Sequence, residues 1–241
     1  MPANAGFEPK ATWLRAMTGK AGSRTAVVAG PTGLVGSRLL ELLLREPRYR
    51  RIVALSRRPL GPEPGLEVVD ADYDRLDHVL GKVTSADRPV DVFCCLGTTI
   101  GRAGSKEAFR RVDHDYVLAL GQWARGAGAH RMIVISAAGA DAASCLFYNR
   151  VKGETERDLA ALRLQSLVIV RPSLLSGQRD EFRLGERVAL IATRPFRGLI
   201  PASVRPIAAA DVARAMLDAA LAGAPPAVID SATMQGAGRR R

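Results

Sequence analysis

The sequence predicts an α/β fold in which helices cover both faces of a doubly wound parallel sheet. Short apolar runs alternate with longer amphipathic stretches, as they do when helices connect parallel strands. A glycine-rich turn follows the first apolar run and opens the first amphipathic stretch. The chain has 241 residues, 47% of them hydrophobic, which suits one sizeable domain with a large core. We therefore expect a single three-layer αβα domain.

The individual elements follow from the apolar periodicity. Predicted strands cover Thr25–Gly30, Arg51–Ser56, Leu66–Val69, Val90–Leu96, Arg131–Ser136, Ser166–Arg171 and Ala227–Ile229. Predicted helices cover about Gly33–Arg45, Tyr73–Val83, Lys106–Arg125, Cys145–Leu162, Glu186–Thr193 and Asp211–Ala222. Prolines and glycines separate these segments, and Pro172, for example, stops the sixth strand. This regular alternation predicts the parallel order of the sheet.

No internal repeat and no interdomain linker divides the sequence, which indicates one domain. Residues 1–23 mix charge, glycine and proline, and we expect them to form a flexible N-terminal arm. Residues 24–241 are expected to form the domain itself. Within it, residues 173–235 are expected to form a small C-terminal segment on the substrate side, over the carboxyl edge of the sheet where such folds bind ligands.

The formal charge of +11 raises the question of a nucleic-acid or membrane partner. Much of this charge lies at the two ends of the chain, in residues 1–24 and in Arg239–Arg241. No basic stripe interleaved with aromatic residues, as nucleic-acid binding needs, occurs in the sequence. We therefore expect a solvated basic surface and a site for a cofactor phosphate, with no nucleic-acid partner.

The three cysteines are Cys94, Cys95 and Cys145, an odd number that argues against a disulfide framework and for a reducing compartment. The vicinal pair is expected to pack as small hydrophobic side chains, with redox activity as the alternative. No apolar run approaches the ~18 residues of a membrane span, and residues 1–23 lack an apolar signal core. The three histidines show no metal-ligand spacing. We expect a cytoplasmic protein without a membrane span or a metal.

The glycine-rich turn has the sequence Gly30-Pro31-Thr32-Gly33-Leu34-Val35-Gly36, between a predicted strand and a predicted helix. Gly30 allows a tight turn, Gly33 lets the backbone approach a pyrophosphate, and Gly36 lets the helix pack on the strand. The helix N-terminus adds unpaired N–H groups and a positive dipole. The pattern predicts a dinucleotide-binding Rossmann fold, and a plain strand-to-helix turn is the alternative.

Arg57 and Arg58 follow the second strand, about 20 positions after the glycine turn, where NAD-preferring domains often carry an acidic residue. Guanidinium groups bind phosphate in a bidentate manner, which favours a cofactor with a 2′-phosphate. The two arginines therefore predict NADP(H) as the cofactor, and a solvated basic turn is the alternative.

Tyr148 and Lys152 are four residues apart on a predicted helix and share one face of it. They follow the fifth strand, whose end carries Ser136, so we expect all three side chains at the carboxyl edge of the sheet. Reduction of a carbonyl by hydride requires a proton, which a tyrosine hydroxyl can supply. A nearby ammonium stabilises the phenolate and a serine hydroxyl orients the substrate oxygen. A half-buried tyrosine with a snorkelling lysine is the structural alternative.

Taken together, these residues resemble the short-chain dehydrogenase/reductase superfamily, and within it the atypical branch. The resemblance covers about residues 24–220. The sequence motifs that carry it are Gly30–Gly36, Ser56–Arg58, Phe93–Thr99, Phe109–Val117, Tyr148–Glu154, Arg171-Pro172 and Arg179–Glu186. It implies NADPH contacts from Thr32, Gly33, Leu34, Val35, Arg57, Arg58, Leu96, Gly97, Tyr148, Lys152, Leu174 and Arg183. It also implies that Tyr148 donates or accepts the proton, with Ser136 as the third member of the site.

The sequence departs from the family pattern at three positions. Asp113 stands where many reductases of the superfamily have an asparagine that supports a proton-relay water. Ala137 and Ala138 replace a serine and a lysine, which makes the substrate side less polar.

Two functions are compatible with this sequence. One is NADPH-dependent hydride transfer to a small carbonyl or alcohol substrate, and the other is a non-catalytic NADPH-sensing regulatory or protein-interaction module. Either could form a homodimer or bind a protein partner, and Ser136, Tyr148 and Lys152 favour the enzyme.

Overall fold

The computed structural model describes residues 24–81, 89–176 and 205–238. Its strands are β1 (Arg24–Ala29), β2 (Tyr49–Ser56), β3 (Leu66–Asp70), β4 (Val90–Cys94), β5 (Arg131–Ile135), β6 (Leu167–Arg171), β7 (Leu175–Ser176), β8 (Ile207–Ala208) and β9 (Val228–Asp230). One sheet has the order β3-β2-β1-β4-β5-β6-β9, and every neighbouring pair in it is parallel. β7 and β8 pair with each other apart from this sheet. The strand order is that of a Rossmann-like doubly wound sheet, which confirms the predicted fold class.

The helices are α1 (Leu34–Arg45), α2 (Leu76–Leu80), α3 (Ile100–Ala103), α4 (Lys106–Arg110), α5 (Tyr116–Gly126), α6 (Phe147–Ala161), α7 (Ala209–Leu221) and α8 (Ser231–Gly238). A π-helical turn, Arg111–Asp115, joins α4 to α5. Side-chain caps explain two of the helix starts. The Thr99 hydroxyl accepts a hydrogen bond from the amide of Arg102 at α3 (3.3 Å), and the Ser105 hydroxyl accepts one from Ala108 at α4 (3.0 Å).

Alternate side chains of the central strands point to opposite faces of the sheet, and separate helices cover each face. Ala26 and Val28 of β1 pack on one face with α1 and α7. Val27 and Ala29 pack on the other face with α2, α5 and α6. Because both faces are covered, β1 and β4 are apolar almost throughout rather than alternating. The result is the three-layer arrangement that the sequence predicts.

At the amino edge of the sheet, one fully buried carboxylate ties several elements together. The Asp91 carboxylate accepts hydrogen bonds from Arg24 Nη1 (2.7 Å), the Tyr49 hydroxyl (2.7 Å) and His130 Nδ1 (3.0 Å). Burial and the charge of Asp91 raise the pKa of Tyr49 well above its ordinary value. Beside this group, Arg131 Nη1 donates to carbonyls at the C-terminal end of α7. The buried charged groups at this edge therefore connect elements of the fold to one another.

The chain changes its direction of travel through the sheet between β1 and β4. After β1 it passes to β2 and β3 on one side, and it then returns to β4 on the other side of β1. The loops that leave the carboxyl ends of β1 and β4 therefore diverge, and a crevice forms between them. In a doubly wound sheet this crevice is the expected ligand site.

The structure differs from the sequence prediction in two helices. The long helix predicted over Lys106–Arg125 contains the π-helical turn, which apolar periodicity does not distinguish from α-helix. The helix predicted over Tyr73–Val83 is helical only at Leu76–Leu80 in the described residues. β7, β8 and α8 are not predicted by the sequence, because two-residue strands have no periodicity and α8 contains two glycines.

Some predicted features lie outside the described residues, namely the arm at residues 1–23 and the helix at Glu186–Thr193. The predicted cover, residues 173–235, is described only in part. Within it, α7 buries an apolar face against α1, and β9 extends the sheet beside β6. These two elements belong to the body of the fold, because their apolar side chains complete the core.

Helix α6 depends on a glycine at its centre. A Cβ atom on Gly153 would lie far inside van der Waals contact of the backbone of Asp141 and Ala142, in the loop that precedes the helix. Because backbone atoms surround it, neither side can yield without moving the loop or the helix. A Cβ atom on Gly126, the last residue of α5, would have nothing within 4 Å of it. The two glycines therefore form a matched pair for testing this contact.

We expect Gly153→Ala to lower the free energy of unfolding by about 3 kcal/mol, because the added methyl group overpacks the contact between α6 and its preceding loop. Gly126→Ala adds the same methyl group in open space and should leave stability unchanged or raise it by less than about 1 kcal/mol. Urea unfolding followed by circular dichroism measures both values. Equal stability of the two variants would contradict this packing.

The vicinal cysteines lie in and just after β4. Cys94 is fully buried, and the sulfur of Cys95 lies 4.0 Å from the sulfur of Met216 in α7. Burial raises the pKa of the Cys94 thiol to about 12 and that of Cys95 well above its ordinary value. Cys145, in the loop before α6, is exposed, and all three cysteines are free thiols. These surroundings agree with the expectation that Cys94 and Cys95 pack as small hydrophobic side chains.

Native protein should therefore react rapidly with a thiol reagent at Cys145 alone, because thiolates are the reactive species and the two buried thiols stay protonated. Ellman's reagent at neutral pH should titrate one thiol in the folded state and all 3 cysteines of the chain in denaturant. Cys145→Ser should abolish the rapid phase. Rapid modification of a second thiol in that variant would indicate a reactive vicinal pair.

Candidate active site

The glycine-rich turn leaves β1 at the crevice and lies against the backbone that follows β4. Gly30 has a φ of +76°, and a Cβ atom there would lie 2.7 Å from the carbonyl oxygen of Cys95. A Cβ atom on Gly36 would overlap the carbonyl oxygen of Gly30. The turn closes with a hydrogen bond from the amide of Gly33 to that same carbonyl (3.1 Å). Glycine is therefore required at Gly30 and Gly36 by the close approach of main-chain atoms.

The start of α1 fits a bound phosphate. Gly33 is the N-cap, no side chain caps the helix, and its first turn contains no acidic residue. Helix geometry leaves the first amide groups without intrahelical partners, and these include the amides of Leu34 and Val35. Thr32 is exposed on the turn just before them. The turn and the N-terminus of α1 therefore offer amide groups and a positive dipole that could hold a pyrophosphate.

Arg57 and Arg58 are exposed in the turn that follows β2, next to the crevice. The Ser56 hydroxyl accepts a hydrogen bond from the amide of Arg58 (3.1 Å) and donates one to its carbonyl (2.7 Å), which fixes the turn.

Tyr73, which the sequence analysis does not single out, lies buried between this turn and the glycine turn. Its hydroxyl donates to the carbonyl of Leu55 (3.5 Å). Burial raises the pKa of Tyr73, so its hydroxyl stays protonated and the side chain packs as an uncharged group between the two turns.

Tyr148 and Lys152 lie one turn apart at the start of α6. Tyr148 is 37% exposed, and its ring packs on that of Phe109 with the centroids 5.5 Å apart. Lys152 is only 5% exposed, and its Nζ lies 2.8 Å from Oδ1 of Asp113. Burial alone lowers the pKa of Lys152, but the charges of Asp113 and Tyr148 outweigh it and raise that pKa above its ordinary value. A protonated lysine is thus held inside the protein beside Tyr148.

Asp113 is the buried partner of this lysine, and it lies in the π-helical turn. Its second carboxylate oxygen accepts a hydrogen bond from the amide of Thr98 (2.8 Å), and its carbonyl accepts one from the hydroxyl of Thr155 (3.0 Å). The sequence leaves the role of Asp113 open. The structure shows a direct ion pair with Lys152, and neither Thr98 nor Thr155 carries a sequence signal that would have revealed this group.

Ser136 follows β5 at the same edge of the sheet. It is buried, its amide donates to the carbonyl of Val170 (2.8 Å), and its hydroxyl oxygen has no hydrogen-bond partner among residues 24–81, 89–176 and 205–238. Buried hydroxyl groups are usually paired, so this one is available to a ligand. Ala137 and Ala138 follow it and present no polar side chain.

The remaining predicted cofactor residues lie around the crevice. Leu96 and Gly97 follow β4, and a Cβ atom on Gly97 would lie 3.5 Å from Oδ1 of Asp113. Leu174 is 52% exposed between β6 and β7, and Leu146, just before α6, is 66% exposed. Arg183 lies outside the described residues. The rim near Tyr148 is thus rich in exposed apolar side chains.

Two other classes of feature bear on function. No cluster of three or more histidine, cysteine or acidic side chains that could hold a metal ion occurs in the described part of the chain. The helices of that same part include none with the length and apolar character needed to cross a membrane.

Comparison with solved structures shows the same fold in nucleotide-sugar enzymes. WbmG of Bordetella bronchiseptica, solved with NAD and UDP, matches with a TM-score of 0.65 and 20% identity. The match covers 90% of this chain and 74% of that chain. At this level of identity the similarity supports the fold alone.

Sequence relatives are closer. A protein of Emericella nidulans named fmp52, mitochondrial, is 38% identical over 166 residues, which are 66% of this chain and 70% of that protein. Rat protein HTATIP2 is 34% identical over 205 residues, which are 81% of each chain. The fungal name places that relative in mitochondria, and the cytoplasmic location expected for this chain stays a prediction.

A family model described as NAD(P)H-binding matches residues 30–222. The match begins at the first glycine of the turn and ends just beyond α7, so it includes the turn and five of the seven strands of the sheet, β2 to β6. With the relatives above, it shows that the chain belongs to the NAD(P)H-binding family of atypical short-chain dehydrogenases/reductases.

Proposed function

We propose that the protein is an NADP(H)-dependent oxidoreductase that transfers hydride between the cofactor and a small, largely apolar carbonyl or alcohol substrate. The observation that carries this proposal is the buried, protonated Lys152 one helical turn from the half-exposed Tyr148. Burial of a lysine is costly, and neither strand pairing nor core packing requires a charge at this position. A catalytic tyrosine does require one, which explains why the fold retains it.

The nicotinamide cofactor, when bound, supplies or accepts the hydride. In the reductive direction the Tyr148 hydroxyl donates its proton to the substrate oxygen, which gains negative charge as the hydride arrives. The ammonium of Lys152 stabilises the phenolate that Tyr148 leaves behind. The unpaired Ser136 hydroxyl donates a hydrogen bond to the substrate oxygen and so holds it within reach of Tyr148.

The choice of NADP(H) rests on Arg57 and Arg58. Both guanidinium groups are exposed at the carboxyl end of β2, where the ribose of a dinucleotide bound on the glycine turn would lie. A 2′-phosphate there would gain charge-assisted hydrogen bonds that a ribose hydroxyl does not offer to arginine. The apolar substrate class rests on Leu146, Leu174 and the alanines after Ser136, which offer little polar recognition.

An NADPH-sensing module without turnover, regulatory or protein-binding, is the second candidate. The observation that favours it is the ion pair of Lys152 with Asp113, because a paired ammonium exerts a weaker field on Tyr148 than an unpaired one. The presence of Tyr148, Lys152 and Ser136 together favours the enzyme, since a sensor has no use for a proton donor.

We expect Arg57→Glu to weaken NADPH binding by about 100-fold and NADH binding by less than about threefold, because the new carboxylate repels only the 2′-phosphate at close range. Arg50→Glu is the matched control, since Arg50 is an exposed arginine of the same strand at the opposite edge of the sheet. Calorimetric titration of both cofactors measures the change. Equal weakening of NADPH and NADH would show that Arg57 does not recognise the phosphate.

We expect Tyr148→Phe to lower carbonyl reduction by at least about 100-fold, the contribution of a general acid, while NADPH affinity stays within about twofold of wild type. NADPH consumption with a panel of aldehydes, ketones and quinones measures the rate. Tyr116→Phe, which removes a hydroxyl that donates to Asp74, is the control and should keep its rate. Undiminished turnover in Tyr148→Phe would remove this residue from the chemistry. Tight NADPH binding by wild type without turnover of any substrate would favour the sensing module.

A further inference from the structure

We propose that Asp113 is a positioning residue whose carboxylate holds Lys152 in place and offsets part of its charge, so that Tyr148 keeps its proton to higher pH than an unpaired lysine would allow. The inference rests on the proposed function, in which Tyr148 is the proton donor. Its consequence is a site adapted to reduction, because reduction needs the neutral hydroxyl of Tyr148 and oxidation needs the phenolate.

The geometry gives each oxygen of Asp113 its own contact. Oδ1 lies 2.8 Å from Nζ of Lys152 in an ion pair and accepts no hydrogen bond within the described residues, and Oδ2 accepts the hydrogen bond from the amide of Thr98 at 2.8 Å. The carboxylate is therefore oriented from two sides and cannot rotate away without losing one of these contacts. Asp113 and Lys152 are both almost fully buried, so water screens their interaction weakly.

The fold builds this pair from two segments, the π-helical turn and α6. The hydroxyl of Thr155 in α6 donates to the carbonyl of Asp113 (3.0 Å), which fixes the main chain of the π-helical turn. The ring nitrogens of His114, the next residue, lie at hydrogen-bond distance from the carboxylates of Asp115 (2.7 Å) and of Asp158 in α6 (2.9 Å). These contacts hold the same turn against α6 at a second point. π-helical turns are frequent at functional sites because they redirect individual side chains.

Gly97 lies next to the ion pair of Asp113 and Lys152. A Cβ atom at this position would contact both Oδ1 of Asp113 (3.5 Å) and Nζ of Lys152 (3.9 Å), so the segment after β4 passes directly over the ion pair. This segment is also one that the family resemblance assigns to the cofactor. The pair thus lies beside the segment after β4 on one side and interacts with Tyr148 through Lys152.

The groups that face Lys152 are few. Within residues 24–81, 89–176 and 205–238 they are Asp113 from the π-helical turn, Tyr148 from the same helix and Cys94 from β4. Burial raises the pKa of the Cys94 thiol to about 12, so this group adds no charge at working pH.

Other charged side chains near Tyr148 are engaged elsewhere. Lys106 and Arg150 lie against the ring of Phe147, at 5.5 Å and 5.8 Å, and Arg110 pairs with Glu154. Asp113 is therefore the carboxylate best placed to modulate the effect of Lys152 on Tyr148.

The test is the ionisation of Tyr148 in Asp113→Asn, followed by the ultraviolet absorbance of tyrosinate in the protein without cofactor or substrate. Subtraction of the same titration in a Tyr148→Phe background isolates the signal of Tyr148. Asparagine matches the shape of aspartate, and its side-chain carbonyl keeps the contact with the amide of Thr98. We expect the midpoint to move to lower pH by about one unit, because the ammonium is no longer offset.

Asp115→Asn is the matched control, since this carboxylate belongs to the same turn but faces His114. It should leave the midpoint of Tyr148 unchanged. A midpoint that is unchanged or higher in Asp113→Asn would overturn the proposal.

The double variant Asp113→Asn/Lys152→Gln provides a second measurement that does not depend on the single variant being folded, because it contains no unpaired buried charge. If Asp113 offsets part of the charge of Lys152 at Tyr148, the midpoint of the double variant should rise by less than about one pH unit relative to wild type. A rise of more than about one unit would show that the lysine acts unopposed and would overturn the proposal.

These titrations need no turnover, so they separate this inference from the proposed function. Where a substrate is found, the alkaline limb of reduction by Asp113→Asn should move down by the same amount, about one pH unit. A merely structural role for Asp113 would lower the rate at every pH and leave the limb in place, which would overturn the proposal.

Discussion

The close approach of two main-chain segments, the turn at Gly30 and the strand end at Cys95, is the constraint on which the rest of this structure depends. A parallel sheet wound in both directions must open a crevice where the chain changes direction, and here the crevice is narrow enough that no side chain fits at Gly30. This approach positions the start of α1 beside the end of β4, and the same segment, at Gly97, lies against the buried Asp113–Lys152 pair. The same main-chain arrangement thus positions the proposed cofactor site and the proposed proton donor.

The two edges of the sheet use buried charge for different purposes. At the amino edge, Asp91 is satisfied by Arg24, Tyr49 and His130, and the group closes on itself. At the carboxyl edge, the pair of Asp113 and Lys152 lies near a half-exposed tyrosine, and the buried Ser136 hydroxyl at this edge has no hydrogen-bond partner in the described part of the chain. A fully satisfied network stabilises a fold, whereas an incompletely satisfied one leaves groups free for a ligand. The same chemistry therefore supports structure at one edge and offers reactivity at the other.

The sequence predicts those parts of the molecule that are determined locally. The glycine spacing identifies the turn because it reports a backbone constraint within a few residues, and the spacing of Tyr148 and Lys152 places both on one face of a helix. The pairing of Lys152 with Asp113 could not be predicted, because the residues are distant in sequence and a π-helical turn has no apolar pattern of its own. The packing of α7 against α1 could not be predicted either, because a covering segment and a core helix are equally amphipathic.

Cys145 has a practical value that follows from its position. It lies in the loop before α6, three residues ahead of Tyr148, and it is exposed while the other two cysteines of the chain have raised pKa values. The unmodified protein thus already carries one selectively addressable attachment point in the loop that leads into Tyr148. An environment-sensitive fluorophore attached there would report the arrival of cofactor or substrate in real time, and candidate ligands could be screened by emission alone before any reaction has been identified.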